Sequence, residues 1–552
     1  MQAAPEETTD AQDRADGEDE TLKQADSSSI LVSALVIVSR ITGFFRTTMQ
    51  AWALGATGVA SAYTVANQMP NFLYELVVGG MLITSFLPVY INVKTKLGKK
   101  GAAAYASNLL TIVLVLMALL ALISVALAAP IIWTQSAGAS AGFDFDLSVW
   151  FFRWFAVSIV LYALSSIFSG VLNAERDYLW SNFAPVLNNL ITIAMFVAYG
   201  YLVQDGADAR GAAIVLAVGT PLAVAVQVFC QVPALRRHGL RLSLRVNLHD
   251  PALKDTLSIG LPTLVATLAA APTTAIMSSC ALSVTPAGAS IAYYSRVWYV
   301  LPYSIFAIPI TVTMFTELSS SFLAGRTDQF RDYVVEGTKK ILFTLVPCAM
   351  LLVVFAEPLI AVFASGQFTD EDALLTAHYL QALSLALPLY ALSSYVQKVC
   401  SSMMRMGLFA AATVVGSVLQ VVICLWLTPV WGLYVVPVSS SFFYGAIDVV
   451  TLLQVRAKLG GLRMRSVFVS VVRALALGAL GCLVGVAILA ALTHAFGPCR
   501  GVVRGLLFAA AGGFPALAVT FGGATLLGIS DAPLFDALFS RLFRRLGLKK
   551  SE

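Results

Sequence analysis

The chain has 552 residues, of which 58% are hydrophobic and only 12% charged, with a formal net charge of +5. Soluble domains carry about 25% charged residues, so this composition excludes an ordinary soluble domain. Long apolar runs recur through most of the chain, without the alternation over ~10 residues that marks a membrane barrel. The expected fold class is therefore an all-α polytopic membrane protein.

The sequence contains no recognisable catalytic or metal-binding motif. The seven cysteines form no CxxC pair, which argues against a metal centre or a disulfide framework. The patterns GxxxxGK[ST], HExxH and GxSxG are also absent, so no nucleotide-binding or hydrolase centre is indicated. We therefore predict that the protein is not an enzyme and holds no cofactor.

In chain order, the first element is an acidic segment, residues 1–28, with nine acidic residues against Arg14 and Lys23. We expect it to be a disordered cytoplasmic tail. The apolar runs that follow predict about 14 spanning helices, several of them longer than the ~20 residues that a bilayer requires. Their approximate ranges are 29–54, 59–93, 103–133, 147–173, 180–204, 209–233, 254–283, 286–320, 338–364, 372–402, 407–428, 431–456, 466–493 and 503–529.

The loops between these spans predict the orientation of the chain. Every second loop, beginning with the one after residue 93, is rich in lysine and arginine, whereas most of the others are neutral or acidic. Because basic loops remain on the cytoplasmic side, both termini are predicted to be cytoplasmic. We interpret these basic clusters as topology signals that need no further function.

Two spans resemble each other and suggest an internal repeat. The segments 59–93 and 286–320 each contain a leading tyrosine, a proline within the span and a basic loop after it. An offset of six helices gives both halves the same orientation, as in a parallel repeat. This predicts two six-helix lobes around a central cavity, two additional helices and a basic amphipathic cytoplasmic tail. The corresponding ranges are 29–233, 254–456, 466–529 and 530–552.

Three arginines lie inside apolar spans, where each charge costs at least ~2.5 kcal/mol. Arg40 and Arg46 are six residues apart in the first span and do not share a face of a straight helix, although Gly43 between them can allow a bend. Arg296 lies early in the span 286–320. Guanidinium groups donate several hydrogen bonds and keep their charge, so the three could bind a diphosphate. The alternatives are snorkelling to the interface or pairing with Glu75.

Other polar residues within the spans are candidates for the cavity or for ion coupling. Glu75, Glu317 and Asp448 could each bind a proton or cation, or neutralise an arginine; for Asp448 a structural hydrogen bond is an equal alternative. Asn67 and Gln68 add polar groups to the second span, where packing between helices explains most such residues.

Several segments together resemble a known family. They are SRITGFFR, LGATGVASAY, MPNFLYEL and SFLPVY near the start, then GVLN (170–173), APVLNN (184–189), AYYSR (292–296) and SGQFTDEDALLT (365–376). In this order and spacing, from about residue 33 to residue 463, the chain resembles the MurJ (MviN) lipid II flippases. That family belongs to the multidrug/oligosaccharidyl-lipid/polysaccharide exporter superfamily.

The resemblance implies a V-shaped pair of lobes, with the last two helices forming a groove for a polyprenyl tail. It also implies that Arg40, Arg46 and Arg296 are cavity arginines. Some charged positions of the family differ here. A family arginine corresponds to Glu75, a family aspartate to Ser61, which we therefore include among the candidate cavity residues, and an acidic position to Gly79.

The leading prediction is a flippase that moves an undecaprenyl-diphosphate-linked peptidoglycan precursor to the outer leaflet of the bacterial cytoplasmic membrane by alternating access. The membrane potential or a monovalent cation would drive it, and the cell-wall synthesis machinery is the candidate partner beside membrane lipids. The alternatives are flipping of another polyprenyl-linked glycan and cation-coupled export of a small molecule. A membrane enzyme acting on polyprenyl phosphates would need clustered acidic motifs, which the loops lack; a scaffold role would not explain the buried arginines.

Overall fold

The computed structural model describes residues 32, 34–206, 208–239, 243–247, 249–529, 531, 532, 535 and 539. Within these ranges it describes the backbone alone at residues 78–85, 209, 255, 257–263, 265, 266 and 269. The predicted acidic tail, residues 1–28, and most of the predicted basic tail, residues 530–552, lie outside the described residues.

The described chain is helical, with short connections and no strand between residues 34 and 529 where it is described. The α-helices, in chain order, are α1 (34–54), α2 (Gly58–Tyr74), α3 (Gly80–Ala126), α4 (Ala128–Ser136), α5 (Phe145–Phe155), α6 (Val157–Ala174), α7 (Tyr178–Gln204), α8 (Ala209–Phe229), α9 (Val232–Arg237), α10 (Pro251–Val284), α11 (Gly288–Pro302), α12 (Ile308–Leu323), α13 (Thr327–Ala361), α14 (Asp370–Ser384), α15 (Leu387–Ser402), α16 (Met406–Trp431), α17 (Val435–Leu459), α18 (Arg465–Phe496), α19 (Val502–Leu517) and α20 (Gly523–Leu526).

The predicted spans coincide with these helices, which confirms the all-α polytopic fold class. By length and apolarity, 9 helical stretches of the described residues are suited to crossing a membrane, and the stretch Met406–Leu459 is 54 residues long. At 1.5 Å per residue such a stretch far exceeds the ~30 Å of a hydrocarbon core, so it contains more than one crossing. Helix α3 likewise changes direction at Gly98, whose φ of 68° is not helical.

Four predicted spans are divided where the sequence analysis expected continuous helices: 103–133 into α3 and α4, 147–173 into α5 and α6, and two that are divided at a proline. The span 209–233 is divided into α8 and α9, and the span 372–402 is divided into α14 and α15. In both cases a proline, Pro233 or Pro388, stands in the first turn of the second helix. Proline lacks the backbone N–H that would continue the preceding helix and fits a helix start, which explains both breaks.

The two spans predicted to be counterparts share a feature that the sequence did not indicate. A π-helical turn, Glu75–Gly79, joins α2 to α3, and another, Tyr303–Ala307, joins α11 to α12. Their first residues are 228 positions apart (303 minus 75), which agrees with the predicted repeat offset. A third π-helical turn, Ala518–Gly522, joins α19 to α20. Such turns are rare and recur at functional sites.

Residue contacts divide the chain into two compact units that interleave along the sequence. The first comprises Met1–Arg46, Met81–Leu122 and Trp154–Gly260, and the second comprises Thr47–Gly80, Ile123–Arg153 and Leu261–Glu552. This grouping differs from the two predicted six-helix lobes, which stay a prediction.

In the first unit, a buried carboxylate joins α3 to the end of α6. The Lys94 amino group lies 2.8 Å from both carboxylate oxygens of Glu175, and the Tyr90 hydroxyl donates to the same carboxylate at 3.0 Å. Burial tends to raise the pKa of the Glu175 carboxyl, but the hydrogen bonds from Lys94 and Tyr90 outweigh it and hold that pKa below its usual value. The charged form of Glu175 is therefore stabilised in the fold.

The segment after α9 is held along α3 by polar side chains one helical turn apart. Asn108 donates to the Asn247 carbonyl at 2.8 Å and accepts from the Asn247 N–H at 2.7 Å. Thr111 accepts from the Arg245 N–H at 2.9 Å, and Ser107 accepts from the Ser243 N–H. Alternate residues of the segment thus bond to one face of α3, which satisfies the backbone N–H groups of these three residues.

In the second unit, several loops pack together at one end of the helices. The Tyr294 hydroxyl donates to the Gly55 carbonyl at 2.9 Å, and the Gln367 N–H donates to the Trp52 carbonyl at 2.9 Å. A Cβ at Gly366 would collide with the Trp52 backbone and ring, so this close approach requires glycine. Thr369 caps α14 in a reciprocal capping box with Asp372, which places the start of α14 beside these loops.

Candidate functional site

The candidate site is a polar cavity of about 300 Å³ within the second unit. This volume lies at the lower end of the range for ligand pockets. Its walls combine hydroxyl, amide and aromatic side chains with a single arginine among the described residues. They are Thr64, Val65, Gln68 and Met69 of α2; Gln135 of α4; Ala270, Thr273, Thr274, Met277 and Ser278 of α10; Ala289, Ala292, Tyr293, Arg296 and Tyr299 of α11; Tyr379 and Leu383 of α14; Gln420 of α16; and Ser440, Phe443 and Tyr444 of α17.

Helix α11 supplies the charged side chain of the cavity. The residues of α11 that line the cavity follow one another at steps of three or four positions, except for the adjacent pair Ala292 and Tyr293. They therefore form one face of the helix. Arg296 lies on this face and is exposed to the cavity. The sequence predicted an arginine facing a cavity here, and the structure places Arg296 in one.

A cluster of tyrosines stands beside Arg296. The Tyr299 and Tyr390 rings stack with centroids 5.6 Å apart, and Tyr390 also contacts Tyr303 at 4.5 Å and Tyr444 at 5.1 Å. Tyr303 in turn forms a 2.8 Å hydrogen bond with Ser394. These contacts hold the rings in place, so the polar edge of the cavity near the arginine is rigid.

Two buried polar atoms of the cavity wall have no hydrogen-bond partner among the described residues. They are the Tyr299 hydroxyl and the Gln420 side-chain carbonyl oxygen. Buried polar groups in native proteins are normally hydrogen-bonded, so unsatisfied atoms in a cavity wall indicate a polar ligand or water. A tyrosine hydroxyl can donate to an anion, and an amide oxygen can accept from a hydroxyl or N–H group of a sugar.

The predicted cavity residues of α2 are divided between the cavity and the protein interior. Gln68 lines the cavity, and Asn67 beside it is half-buried. Ser61 is fully buried and accepts a hydrogen bond from the Ser290 N–H at 3.2 Å. The position at which the resembling family carries an aspartate therefore joins α2 to α11 in this chain.

Arg40 and Arg46 belong to the first unit and Arg296 to the second. Arg40 is exposed and Arg46 is half-buried on a helix that continues through Gly43. A side chain at Gly43 would meet Asn189, which donates to the Ser39 carbonyl and the Thr42 hydroxyl. Gly43 therefore faces α7 without bending the helix, and a shared site for the three arginines stays a prediction.

The three carboxylates singled out by the sequence differ in environment. Glu75 begins the first π-helical turn, is exposed and accepts a hydrogen bond from Asn71 at 3.1 Å. Glu317 on α12 is exposed. Asp448 on α17 is only 2% exposed; one carboxyl oxygen accepts from Ser393 at 2.6 Å and the other has no partner among the described residues.

A second cavity of the same unit is apolar and about 370 Å³ in volume. Among the described residues its wall carries no charged side chain. It is lined by Pro302 and Phe306; by Cys348, Leu351, Leu352, Phe355 and Leu359 of α13; and by Leu506, Ala509, Ala510, Gly513, Phe514 and Leu517 of α19. Phe514 is 72% exposed, so this groove opens at the outer surface of the helices. Pro302 follows Tyr299 by three residues, so both cavities adjoin α11.

Sequence reasoning missed Tyr299, Tyr444 and Gln420. The three-residue step from Arg296 to Tyr299 was a usable signal, because residues three apart share a helix face. No comparable signal existed for Tyr444 and Gln420, which lie on α17 and α16 and reach the cavity only through packing.

Comparison with known proteins agrees with this architecture. The family model "Lipid II flippase MurJ" matches residues 50–506. A probable lipid II flippase MurJ of Rhizobium meliloti is 27% identical over 365 residues, which cover 65% of this chain and 67% of that protein. The lipid II flippase MurJ of Burkholderia cenocepacia is 26% identical over 366 residues, covering 65% and 69%.

Solved structures show the same fold. A lipid II flippase MurJ in an inward closed conformation matches with a TM-score of 0.70 at 17% identity, covering 90% of this chain and 99% of that one. An inward-facing multidrug resistance MATE family transporter of the MOP superfamily matches with a TM-score of 0.65 at 16% identity, covering 79% and 99%. With its family-model match extending over most of its length, this membrane protein belongs to the MurJ lipid II flippase family.

Proposed function

We propose that this chain moves lipid II, an undecaprenyl-diphosphate-linked peptidoglycan precursor, from the inner to the outer leaflet of the bacterial cytoplasmic membrane by alternating access. The observation that carries the proposal is the polar cavity with Arg296 and the unpartnered Tyr299 hydroxyl and Gln420 oxygen. No catalytic step is needed, because the substrate crosses the membrane chemically unchanged.

The polar cavity suits the diphosphate, which is the part of the substrate that is hardest to move across the membrane. A diphosphate is strongly hydrated, and moving it through hydrocarbon without compensation is prohibitive. Arg296 offers several donors and a permanent charge, and Tyr299 offers a hydroxyl beside it. Gln420 and the hydroxyl side chains of α10 offer partners for the sugar and peptide groups. Arg40 and Arg46 are proposed to join the diphosphate site during transport.

The apolar groove along α13 and α19 suits the polyprenyl tail. Its wall is apolar throughout the described residues and it is open at the surface. It adjoins α11, so a headgroup near Arg296 and a tail outside the helices can belong to one lipid. Resemblance to the family implied a groove between the last two spans, and of these α19 lines the groove described here.

The proposed orientation places both termini and the basic loops in the cytoplasm, as the lysine and arginine asymmetry indicates. The driving force is the membrane potential or a monovalent cation gradient. Asp448 is the candidate proton site, because its buried carboxyl has one oxygen without a hydrogen-bond partner among the described residues. We further propose the cell-wall synthesis machinery as the partner that supplies the substrate and consumes it after transport.

The decisive experiment is replacement of Arg296 in cells depleted of their own lipid II flippase. Lipid II accessible at the outer leaflet is measured and normalised to the amount of protein in the membrane. Loss of charge-assisted hydrogen bonds worth ~1.5–3 kcal/mol lowers binding by about 10- to 100-fold, so Arg296→Ala should lose most transport. Arg296→Lys keeps the charge without the planar fork and should retain part of it.

The matched control is Arg405→Ala, because Arg405 is exposed at the start of α16 and does not line the cavity. It should transport normally. Full activity of Arg296→Ala at normal abundance would overturn the anion site. If this chain failed to replace the depleted flippase altogether while its membrane abundance was normal, the lipid II assignment would be contradicted, and the alternative of another polyprenyl-linked glycan, which the altered positions Glu75 and Ser61 suggest, would be tested next.

The groove is tested separately at Gly513, where an added side chain would meet no atom within 4 Å. Gly513→Leu should fill the groove and reduce transport, whereas Gly513→Ala should leave both abundance and transport near normal. Equal activity of the two variants would show that the tail does not use this groove.

A further inference from the structure

A third cavity of the second unit has a different character from the transport cavity. It has a volume of about 460 Å³ and lies where α18 begins, next to the first third of α13. Four of its lining side chains are basic. The lining residues are Lys339, Arg463, Arg465, Ser466, Val469, Ser470, Arg473 and Asp531.

This basic cavity carries more positive charge than the carboxylate among its described lining residues neutralises. Asp531 is its one carboxylate among the described lining residues; it pairs with Lys339 at 3.1 Å and accepts a hydrogen bond from Ser470 at 2.7 Å. Arg463, Arg465 and Arg473 are exposed, and none forms an ion pair with a described carboxylate. Like charges held this close repel one another, so the cavity favours an external anion.

The position of Arg473 indicates where that anion comes from. It stands eight residues after Arg465, about 12 Å along α18, within the stretch suited to crossing a membrane. Neighbouring Phe468, Val472 and Leu475 are 70%, 48% and 46% exposed, as expected of a face that contacts acyl chains. Helical side chains lean toward the helix N-terminus, so the Arg473 guanidinium extends back toward the cavity at headgroup level.

We propose that this basic cavity binds the phosphate of an anionic membrane phospholipid, whose acyl chains lie along the apolar face of α18. Basic pockets between membrane helices are suited to such headgroups, and arginine forms bidentate bonds to phosphate. The bound lipid bridges Lys339 on α13 to the arginines of α18 and thereby stabilises the packing of these two helices. This site is separate from the transport cavity and does not depend on the proposed substrate. It gives Arg463 and Arg465, which the sequence analysis interpreted as topology signals alone, a second role.

The test measures binding of a phosphatidylglycerol labelled in its acyl chain to the purified full-length protein in neutral detergent. In Arg463→Gln/Arg465→Gln/Arg473→Gln, affinity should fall by about tenfold or more, since each lost charge-assisted contact weakens phosphate binding. The single variant Arg473→Gln should show part of this loss and Arg473→Lys less of it. The matched control Arg236→Gln/Arg237→Gln removes a basic pair at the end of α9, outside the cavity, and should bind normally.

Competitors separate the sources of phosphate. Unlabelled phosphatidylglycerol should displace the probe, whereas zwitterionic phosphatidylcholine and millimolar inorganic phosphate should not. Displacement by inorganic phosphate at the same concentration as phosphatidylglycerol would indicate a soluble-anion site and overturn the lipid proposal. Equal displacement by phosphatidylcholine, or unchanged affinity of the triple variant, would overturn it as well. If the triple variant does not fold, the comparison of Arg473→Gln with Arg473→Lys decides.

Discussion

Removing the Lys94 side chain tests how the first unit is stabilised. The Glu175 carboxylate is only 7% exposed, and Lys94, at 30% exposure, contacts both of its oxygens. Lys94→Met preserves the length of the side chain but leaves the carboxylate with the Tyr90 hydroxyl alone. Breaking an exposed pair costs about 0–1 kcal/mol and breaking a buried one about 3–5 kcal/mol. This half-buried pair should therefore contribute about 2 kcal/mol, or about 30-fold in the unfolding equilibrium.

The pH dependence of this difference has a definite sign. Because the pKa of Glu175 is lowered in the fold, the pair stabilises the protein above the unfolded carboxyl pKa of about 4.3 and loses its effect as the pH falls through the folded pKa. The gap between wild type and Lys94→Met should thus be largest near pH 7 and shrink in acid.

The assay is unfolding of the purified protein in detergent micelles between pH 7 and pH 3. Lys96→Met is the matched control, since Lys96 is exposed on the same helix, and it should change the unfolding free energy by less than about 0.5 kcal/mol. If Lys94→Met were no more destabilising than Lys96→Met, or if its effect did not change with pH, the assigned role of the pair would be wrong.

Three further predictions concern packing, reactivity and topology. Gly481→Val should destabilise the protein by about 1–3 kcal/mol in the same unfolding assay, because the added Cβ would lie 2.8 Å from the Ala516 carbonyl oxygen. The control Gly211→Val should not, because a Cβ at Gly211 would meet no atom within 4 Å. Burial raises the pKa of the Cys499 thiol to about 11. A variant that keeps only this cysteine should therefore react slowly with maleimide at pH 7.5, and the rate should rise about tenfold with each pH unit up to the pKa. A rate that does not change with pH would contradict this. A cysteine replacing Arg245 should resist a membrane-impermeant maleimide in intact cells, and labelling there would reverse the predicted orientation.

The helix breaks follow from local sequence signals, whereas other features of the repeat could not be predicted from the sequence. Prolines such as Pro388 end one helix and start the next by a local rule that the sequence contains. No rule of this kind predicted the π-helical turns that begin at Glu75 and Tyr303, although Pro302 stands directly before the second. The correspondence of their positions is consistent with the weak sequence similarity of the two spans.

The amino-acid sequence by itself determined the membrane class and the approximate positions of the apolar helices, and it singled out Arg296, which lines the polar cavity; the number of 14 crossings stays a prediction. In a bilayer the backbone must satisfy its own hydrogen bonds, so an apolar stretch of sufficient length specifies a helix without reference to its neighbours. Only the tertiary structure decided that Tyr444 and Gln420 join Arg296, that Ser61 faces Ser290, and that Arg473 reaches a basic cavity beside Lys339. These groupings arise from packing between helices that are distant in sequence. The pattern of apolar residues does not specify which residues of two such helices face each other.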